Sequence, residues 1–297
     1  MCQRLLYSIA FLLLNVVRAF PQQNEVLQVN FDQFFQNYSL LNPAATGKEH
    51  QIDGMAGYKT NVGAFEGVNT NYVGLNIASK IKDSIDQDHH GFGINLINSR
   101  EGTYFNRNRL YASYAWHEQI TENWILSGGA MIGLVNYQYK ATDVYPGGIA
   151  TKPTCDLGLM FYKPSDTYIG ISVSQLVRGN MAPLEPLLQI KPFLFITAEK
   201  TFLISPYLSL RSAFIFRGLL QKTSPEYDLT NMLVIQEIIS LGFHYKINEG
   251  ISFVGGLDAI QLENFGLRFF ISYYSSFNLN GNIKTPLLQL TCSIYRH

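Results

Sequence analysis

The feature of this sequence that most constrains its fold is a two-residue alternation that continues from Gln51 to the C-terminus. In residues 265–273, the positions Phe, Leu, Phe, Ile and Tyr recur at every second place, and Gly, Arg and Ser lie among the intervening ones. A period of two places successive side chains on opposite faces of a strand. The sequence therefore predicts an all-β protein, and it remains to decide whether the apolar face meets a core or lipid.

The charge content favours lipid. Charged residues make up 15% of the 297 residues, against roughly 25% in soluble domains. The 22 basic and 22 acidic residues cancel, so the chain has no basic excess for binding nucleic acid. A soluble surface with so little charge would promote association. A membrane setting is therefore favoured over a soluble β-sandwich.

The first 19 residues have the pattern of a secretory signal. Arg4 precedes an apolar stretch at residues 5–17, and Val17 and Ala19 supply small residues for cleavage. The alternative is an N-terminal membrane anchor, but the stretch is shorter than the ~20 residues that span a bilayer. We predict a signal peptide at 1–19, an N-terminal leader or plug segment at 20–50, and an outer-membrane β-barrel at 51–297.

Only a closed barrel can satisfy the backbone of a strand-rich chain inside a membrane. We predict an antiparallel transmembrane β-barrel of about 14 strands, preceded by the irregular leader, in the outer membrane. An even number of strands is typical of single-chain bacterial barrels. The predicted strands are residues 51–62, 69–79, 91–99, 105–116, 124–139, 154–163, 168–175, 191–203, 207–216, 228–236, 238–247, 251–260, 265–275 and 287–295.

The connections predict how the barrel is oriented. Residues 118–123 form a short connection and residues 140–153 a long one; short turns belong to the periplasm and longer loops to the exterior. Trp116 and Trp124 flank the short turn in the outward register. We therefore expect them in the periplasmic membrane-interface girdle.

Four arginines lie on the face opposite the apolar one: Arg107, Arg109, Arg211 and Arg268. In a barrel they face the lumen, and in a soluble sandwich they would face solvent. Six of the 14 predicted strands begin or end on an aromatic residue, which favours the barrel.

No pattern of catalysis or metal binding is recognisable. His89 and His90 follow three aspartates at positions 83, 86 and 88, but the spacing matches neither a zinc nor an EF-hand site. We interpret this segment as a solvated polar turn and expect no cofactor. Cys155 and Cys292 are interpreted as strand-filling residues and not as a disulfide.

The leader carries a motif from Phe31 to Gly47, with Phe34, Phe35, Tyr38, Asn42 and Pro43 between them. It resembles the mature N-terminus of the PorP/SprF family, whose pattern there is approximately F-x-Q-Y-x-x-x-x-x-x-N-P-A-x-x-G. Downstream, residues 110–117 resemble that family's S-Y-A-Y-H strand. The resemblance implies a 14-stranded barrel in type IX secretion or gliding. It also implies as partners a secreted adhesin or cargo with a C-terminal sorting domain and a periplasmic peptidoglycan-linked component.

Three functions remain open at this point. The first is a non-enzymatic barrel that anchors or exports a secreted protein, with the leader motif as partner-binding or plug residues. The second is a channel or hydrophobic-solute transporter, because apolar N-terminal plugs also occur in fatty-acid transporters. The third is a barrel-borne hydrolase, for which no G-x-S-x-G is present.

Overall fold

A computed structural model describes residues 32–62, 67–79, 88–142, 147–177, 179–180, 189–190, 192–219, 225–247, 250–275 and 286–296. Within these residues, 14 antiparallel strands close into one barrel, in which the first strand pairs with the last. The predicted fold class is therefore confirmed. The signal-peptide prediction for residues 1–19 lies outside the described residues.

The strands follow one another around the wall, and a separate two-residue pair interrupts them after the seventh. Their bounds are β1 Ile52–Asn61, β2 Val68–Ala78, β3 His89–Glu101, β4 Phe105–Thr121, β5 Trp124–Tyr139, β6 Gly148–Lys163, β7 Thr167–Ser174, β8 Gly179–Asn180, β9 Gln189–Ile190, β10 Phe193–Ser205, β11 Leu208–Leu219, β12 Glu226–Ile235, β13 Ile239–Lys246, β14 Gly250–Leu262, β15 Phe265–Ser275 and β16 Leu287–Arg296. β8 and β9 form the separate pair, and β7 is joined to β10 in the wall.

Each barrel strand overlaps one predicted strand, and the largest differences lie in β4 and β6. β4 continues to Thr121, where residue 116 was the predicted end, and β6 begins at Gly148, where residue 154 was predicted. In both extensions the alternation is weak, because polar side chains such as Glu118, Gln119 and Lys152 occur on either face. Ladder pairing continues there without an apolar face to mark it.

The two ends of the barrel differ in their connections. Turns of two or three residues make five of the six connections at one end, those from β4 to β5, β6 to β7, β10 to β11, β12 to β13 and β14 to β15, and ten residues join β2 to β3 there. At the other end, three residues join β3 to β4 and β13 to β14, and the other five connections are longer. Because short turns mark the periplasmic end, the start of β1 and the end of β16 also lie there. No described helix is long and apolar enough to cross a membrane.

The outer wall is apolar and exposed, as a lipid-facing surface requires. Ile132 and Leu159, which face outward on β5 and β6, are 64% and 57% exposed. The inward positions that alternate with them are buried, Met131 and Met160 among them. What buries them is the leader, which occupies the lumen.

Candidate functional site: the leader in the barrel lumen

The leader contributes residues 32–50 to the interior of the barrel. It folds into three short 3-10 turns, Phe34–Gln36, Tyr38–Leu40 and Pro43–Ala45, and its side chains are buried except near Lys48 and Glu49. Asp32 contacts β13 and β14 near their external ends, and His50 contacts the periplasmic end of β16. The leader thus runs along the lumen from its external half to its periplasmic end.

The Asn42 side chain connects the leader to itself and to the wall. Its Oδ1 accepts a 3.0 Å hydrogen bond from the Ala44 backbone N–H, which caps the third turn, and Pro43 occupies the first position of that turn. Its Nδ2 donates at 3.0 Å to the Leu159 carbonyl on β6. A Cβ at Gly158 would collide with the Asn42 amide. Glycine is therefore required where this side chain meets β6.

The residues on either side of Asn42 contact β5 and β7. Ser127 Oγ donates to the Ala44 carbonyl at 2.7 Å, and Ser172 Oγ donates to the Leu41 carbonyl. A Cβ at Gly129 would overlap the backbone of Pro43 and Ala44. Inward-facing hydroxyls and the absence of a side chain at Gly129 therefore shape this part of the lumen for the leader backbone.

Two stacked histidines hold the end of the motif. The His117 and His89 rings are parallel at 4.1 Å between centroids. His117 Nε2 lies 2.8 Å from the Thr46 carbonyl oxygen, and His89 Nε2 lies 3.1 Å from the Gly47 carbonyl oxygen. Gly47 has φ +74°, a left-handed conformation that favours glycine. The last position of the motif is thus fixed by backbone conformation.

This arrangement corrects the interpretation of His89 and His90 as a solvated turn. Both belong to β3, and His89 is only 2% exposed because its ring lies between His117 and the leader. His90 faces outward, where its Nδ1 is 2.9 Å from the Tyr114 hydroxyl. Asp83 and Asp86 lie outside the described residues. Among those described, no group of three metal-ligating side chains occurs.

A buried charge cluster holds the other end of the leader. The Asp32 carboxylate is 2.8 Å from Lys246 Nζ and 3.6 Å from Lys59 Nζ, and it accepts a 3.0 Å hydrogen bond from Ser252 Oγ. Burial by itself would raise the pKa of Asp32, but the two ammonium groups hold that pKa well below its usual value. Asp32 is therefore an anion when docked.

Aromatic side chains fill the space between the two anchored ends. Phe34 packs edge-on against the His244 ring at 5.6 Å, and Phe35 does so against Phe270 at 5.4 Å. The Tyr38 ring lies 4.3 Å from that of Tyr168, and its hydroxyl donates to Glu199. These contacts reach strands on opposite sides of the leader. The predicted motif residues therefore contact the barrel wall along most of the length of the leader.

At the periplasmic end the leader meets β15 and β16. Lys48 Nζ is 2.6 Å from the Glu49 carboxylate. The His50 ring stacks on Tyr295 at 4.1 Å, and its Nε2 is 2.9 Å from an Arg268 guanidinium nitrogen. Glu49 remains exposed beside this cluster. Charged groups of the leader are thereby presented to the periplasmic opening.

The other predicted site residues are found on both faces of the wall. Arg107 and Arg109 are buried on the inward face of β4, and Arg107 pairs with Glu101. Arg211 and Arg268 share Asp258 as a partner on the inward side, at 3.1 Å and 3.5 Å. Of the leader residues, Phe31 lies outside the described residues.

Trp116 and Trp124 lie on the outer face of neighbouring strands. Trp116 is 50% exposed, and Trp124 stacks on Phe161 at 4.5 Å between ring centroids. Both are near the end of the barrel that carries the short turns. An interface role for them remains a prediction.

The sequence reading missed several residues that receive the leader. They are chiefly glycines at inward positions of strands and polar side chains that contact the leader: Gly91, Gly129, Gly158, Gly170, Ser127, Ser172, His89, Lys246 and Ser252. The recurrence of glycine at inward positions of adjacent strands could have indicated these residues. Glycine in a strand often marks the close approach of another backbone, which a lumen filled only by wall side chains would not require.

The model of one protein family, described as type IX secretion system membrane protein PorP/SprF, matches residues 23–288. No curated protein sequence matches the chain.

Several solved outer-membrane barrels share the fold. A Pseudomonas aeruginosa FadL homologue is 10% identical, covers 86% of this chain and 92% of its own, and has a TM-score of 0.54. The Pseudomonas putida toluene transporter TodX is 10% identical, with 92% and 98% covered and a TM-score of 0.52. The Ralstonia pickettii toluene transporter TbuX is 12% identical, with 86% and 92% covered and a TM-score of 0.50. At these identities the similarity concerns the fold alone.

Proposed function

The chain belongs to the PorP/SprF family of type IX secretion system membrane proteins, and from this premise we propose that it anchors, or helps to export, a secreted adhesin or cargo protein at the cell surface. The protein is an outer-membrane β-barrel of the secretion machinery. In this proposal it is not an enzyme and does not conduct solutes. Its partners are a secreted protein with a C-terminal sorting domain and a periplasmic component linked to peptidoglycan.

The observation that carries the proposal is the docked leader. Hydrogen bonds from β4, β5, β6 and β7 reach the leader between Leu41 and Thr46, and an ion pair from β13 holds Asp32. A solute pathway through the barrel would have to break this set of contacts. A protein-handling barrel has no such requirement, since its partner can bind at either rim.

The periplasmic rim offers a defined place for the second partner. Glu49 is exposed there, and the oppositely charged Lys48 and Arg268 lie beside it with 11% and 19% of their side chains exposed. Charged rims of this kind guide and orient association more than they add affinity. We infer that the peptidoglycan-linked component binds at this end and the cargo at the external end.

Affinity purification of the full-length chain from outer membranes in mild detergent tests the proposal. We expect mass spectrometry to identify a large secreted protein with a C-terminal sorting domain, a peptidoglycan-linked protein, or both. In cells lacking the chain, the secreted protein should disappear from the surface and return with the wild-type gene. The gene carrying Gly128→Ala, which alters only the lipid-facing side of β5, should restore the secreted protein as the wild-type gene does, and it serves as the control for substitutions inside the lumen.

The competing function is a channel or hydrophobic-solute transporter, which is the role of the toluene transporters TodX and TbuX. A barrel that purifies alone and gives stable conductance in planar bilayers with its leader intact would refute our proposal. Uptake of a monoaromatic hydrocarbon that depends on the chain, with surface proteins unchanged, would refute it as well.

A further inference from the structure

The outward face of β2 to β6 changes from apolar to polar in a single step near the external end. Val73, Leu96, Leu110 and Leu134 are cross-strand neighbours in one outward row. Two residues further out, the cross-strand neighbours are Asn71, Asn98, Asn108, Asn136 and Thr151, one from each strand. We call these five residues the amide row. Beyond them, Asn69, Arg100, Asn106 and Gln138 form a second polar row on β2 to β5, which ends on β6 at the exposed Ile149.

The amide row lies at the outer edge of the membrane. At about 3.3 Å per residue and a strand tilt of about 40°, the stretch of β5 from Trp124 to Asn136 rises about 30 Å. The apolar band of an outer-membrane barrel is about 25 Å tall. If Trp124 marks the periplasmic interface, Asn136 lies just beyond the hydrocarbon on the other side. Its neighbours in the amide row therefore face the head groups of the outer leaflet.

Hydrogen bonds within this surface hold the amide groups in place. Asn98 Nδ2 donates to Asn108 Oδ1 at 2.6 Å and to Asn106 Oδ1 at 3.0 Å. Asn136 Nδ2 donates to Thr151 Oγ1 at 2.8 Å. Asn71 and Thr151 are exposed, and the three other members are partly exposed. The surface is thus pre-organised and still accessible from the outside, which lowers the cost of ordering it on binding.

The opposite side of the barrel has a different external edge. There the outward positions near the strand ends are aromatic: Phe216 on β11, Tyr227 on β12, Tyr245 on β13 and Tyr273 on β15. Aromatic girdles are the ordinary way to meet the interface. The amide row is therefore a local property of β2 to β6 and not a requirement of the barrel.

We propose that the amide row binds the sugar head groups of the outer-leaflet glycolipid. A sugar hydroxyl both donates and accepts, and each amide offers two donors and an acceptor oxygen with two lone pairs. Phosphate recognition needs clustered cations, whereas Arg100 is the single cation in the two polar rows. The cores of protein interfaces are rich in aromatic side chains, which these rows lack. This binding is independent of the proposed secretion partners.

Native mass spectrometry of the full-length barrel tests the proposal with two probes, a lipooligosaccharide that carries core sugars and the same lipid A anchor without them. We expect the wild type to bind the lipooligosaccharide at least about tenfold more tightly than lipid A, since several hydrogen bonds are gained. Asn71→Ala/Asn98→Ala/Asn108→Ala should remove this preference. Ser212→Ala/Asn231→Ala is the matched control, because this outward-facing pair is also hydrogen-bonded, at 2.7 Å, but on β11 and β12.

Equal affinity of the wild type for both probes, or a triple variant that keeps the preference, would overturn the proposal. Loss of the preference in the Ser212/Asn231 control would do the same, because the effect would then not belong to the amide row. Heat-modifiable migration establishes that each variant is folded. If the triple variant does not fold, the single variant Asn108→Ala replaces it, with an expected loss of about threefold.

Discussion

Gly129→Ala should release the leader from the barrel, while the same change at the adjacent residue, Gly128→Ala, should not. Gly129 faces the lumen, and a Cβ there would overlap the backbone of Pro43 and Ala44, which cannot rotate away as a side chain could. Gly128 faces outward, and a Cβ there would lie 3.6 Å from a Leu159 methyl carbon, an ordinary contact. Alanine is otherwise no worse than glycine inside a strand.

The size of the effect follows from the contacts that are lost together. Displacing this segment breaks the hydrogen bonds from Ser127 to Ala44, from Asn42 to Leu159 and from Ser172 to Leu41. At about 1 kcal/mol each, the docked state loses about 3 kcal/mol, which raises the undocked fraction about 100-fold.

Limited trypsin digestion of the purified barrel measures that fraction. Lys48 is the first tryptic site after Arg18, and its ammonium group lies 5.0 Å from the Tyr38 ring centroid and 4.9 Å from that of Tyr168. Cleavage after Lys48 therefore requires undocking, and its rate follows the open population when reclosing is fast. Equal cleavage rates for Gly129→Ala and Gly128→Ala would show that the close approach at Gly129 does not hold the leader.

Three further predictions concern the leader and the outer wall. Asn42→Ala should raise the cleavage rate at Lys48 by about tenfold to 100-fold, because both the cap and the bond to Leu159 are lost; Asn42→Asp keeps the capping oxygen and should have a smaller effect, so equal effects would contradict the capping role of Oδ1, and no effect of Asn42→Asp would contradict the role of Nδ2. Because the pKa of docked Asp32 is depressed, its contribution should be complete above about pH 4 and be lost as pH falls further; thermal unfolding should show this acid slope in the wild type and a flatter one in Asp32→Asn. The chain has 2 tryptophans, so fluorescence excited selectively at tryptophan reports Trp116 and Trp124 alone; brominated lipids should quench it, and unquenched emission would place these residues away from the bilayer.

The barrel could be predicted from the sequence because its determinants are local. The alternation in β4 and β15 and the turn residues can be recognised within a few positions of the sequence. The low charge can be recognised from composition alone, and all three favour the same architecture. The errors occur where the alternation is weak, as at the extended end of β4. A strand can continue there by ladder pairing alone.

The contacts that hold the leader in the lumen could not be predicted in the same way. Asn42 and its partner carbonyl at Leu159 are 117 residues apart, and Asp32 and Lys246 are 214 apart. Such pairs are set by the closure of the barrel, which no local pattern encodes. His89 was misread for this reason: beside three aspartates it has the composition of a solvated turn, and only the register with His117 buries it.

The path of the leader constrains how a partner could use the lumen. Of the described leader residues, Asp32 lies nearest the external side, and its release leaves Lys246 without the carboxylate that it pairs with; breaking a buried ion pair in this way is strongly unfavourable. From the periplasmic side, the described leader residues that a partner would meet first are His50 and Glu49, which contact Tyr295 and Arg268 at the partly exposed rim; contacts of this kind cost about 1 kcal/mol or less each to lose. Displacement is therefore easier from the periplasm. Of the two rims, the periplasmic one is where binding could be coupled to movement of the leader, and the external one is where a partner could be held without disturbing it.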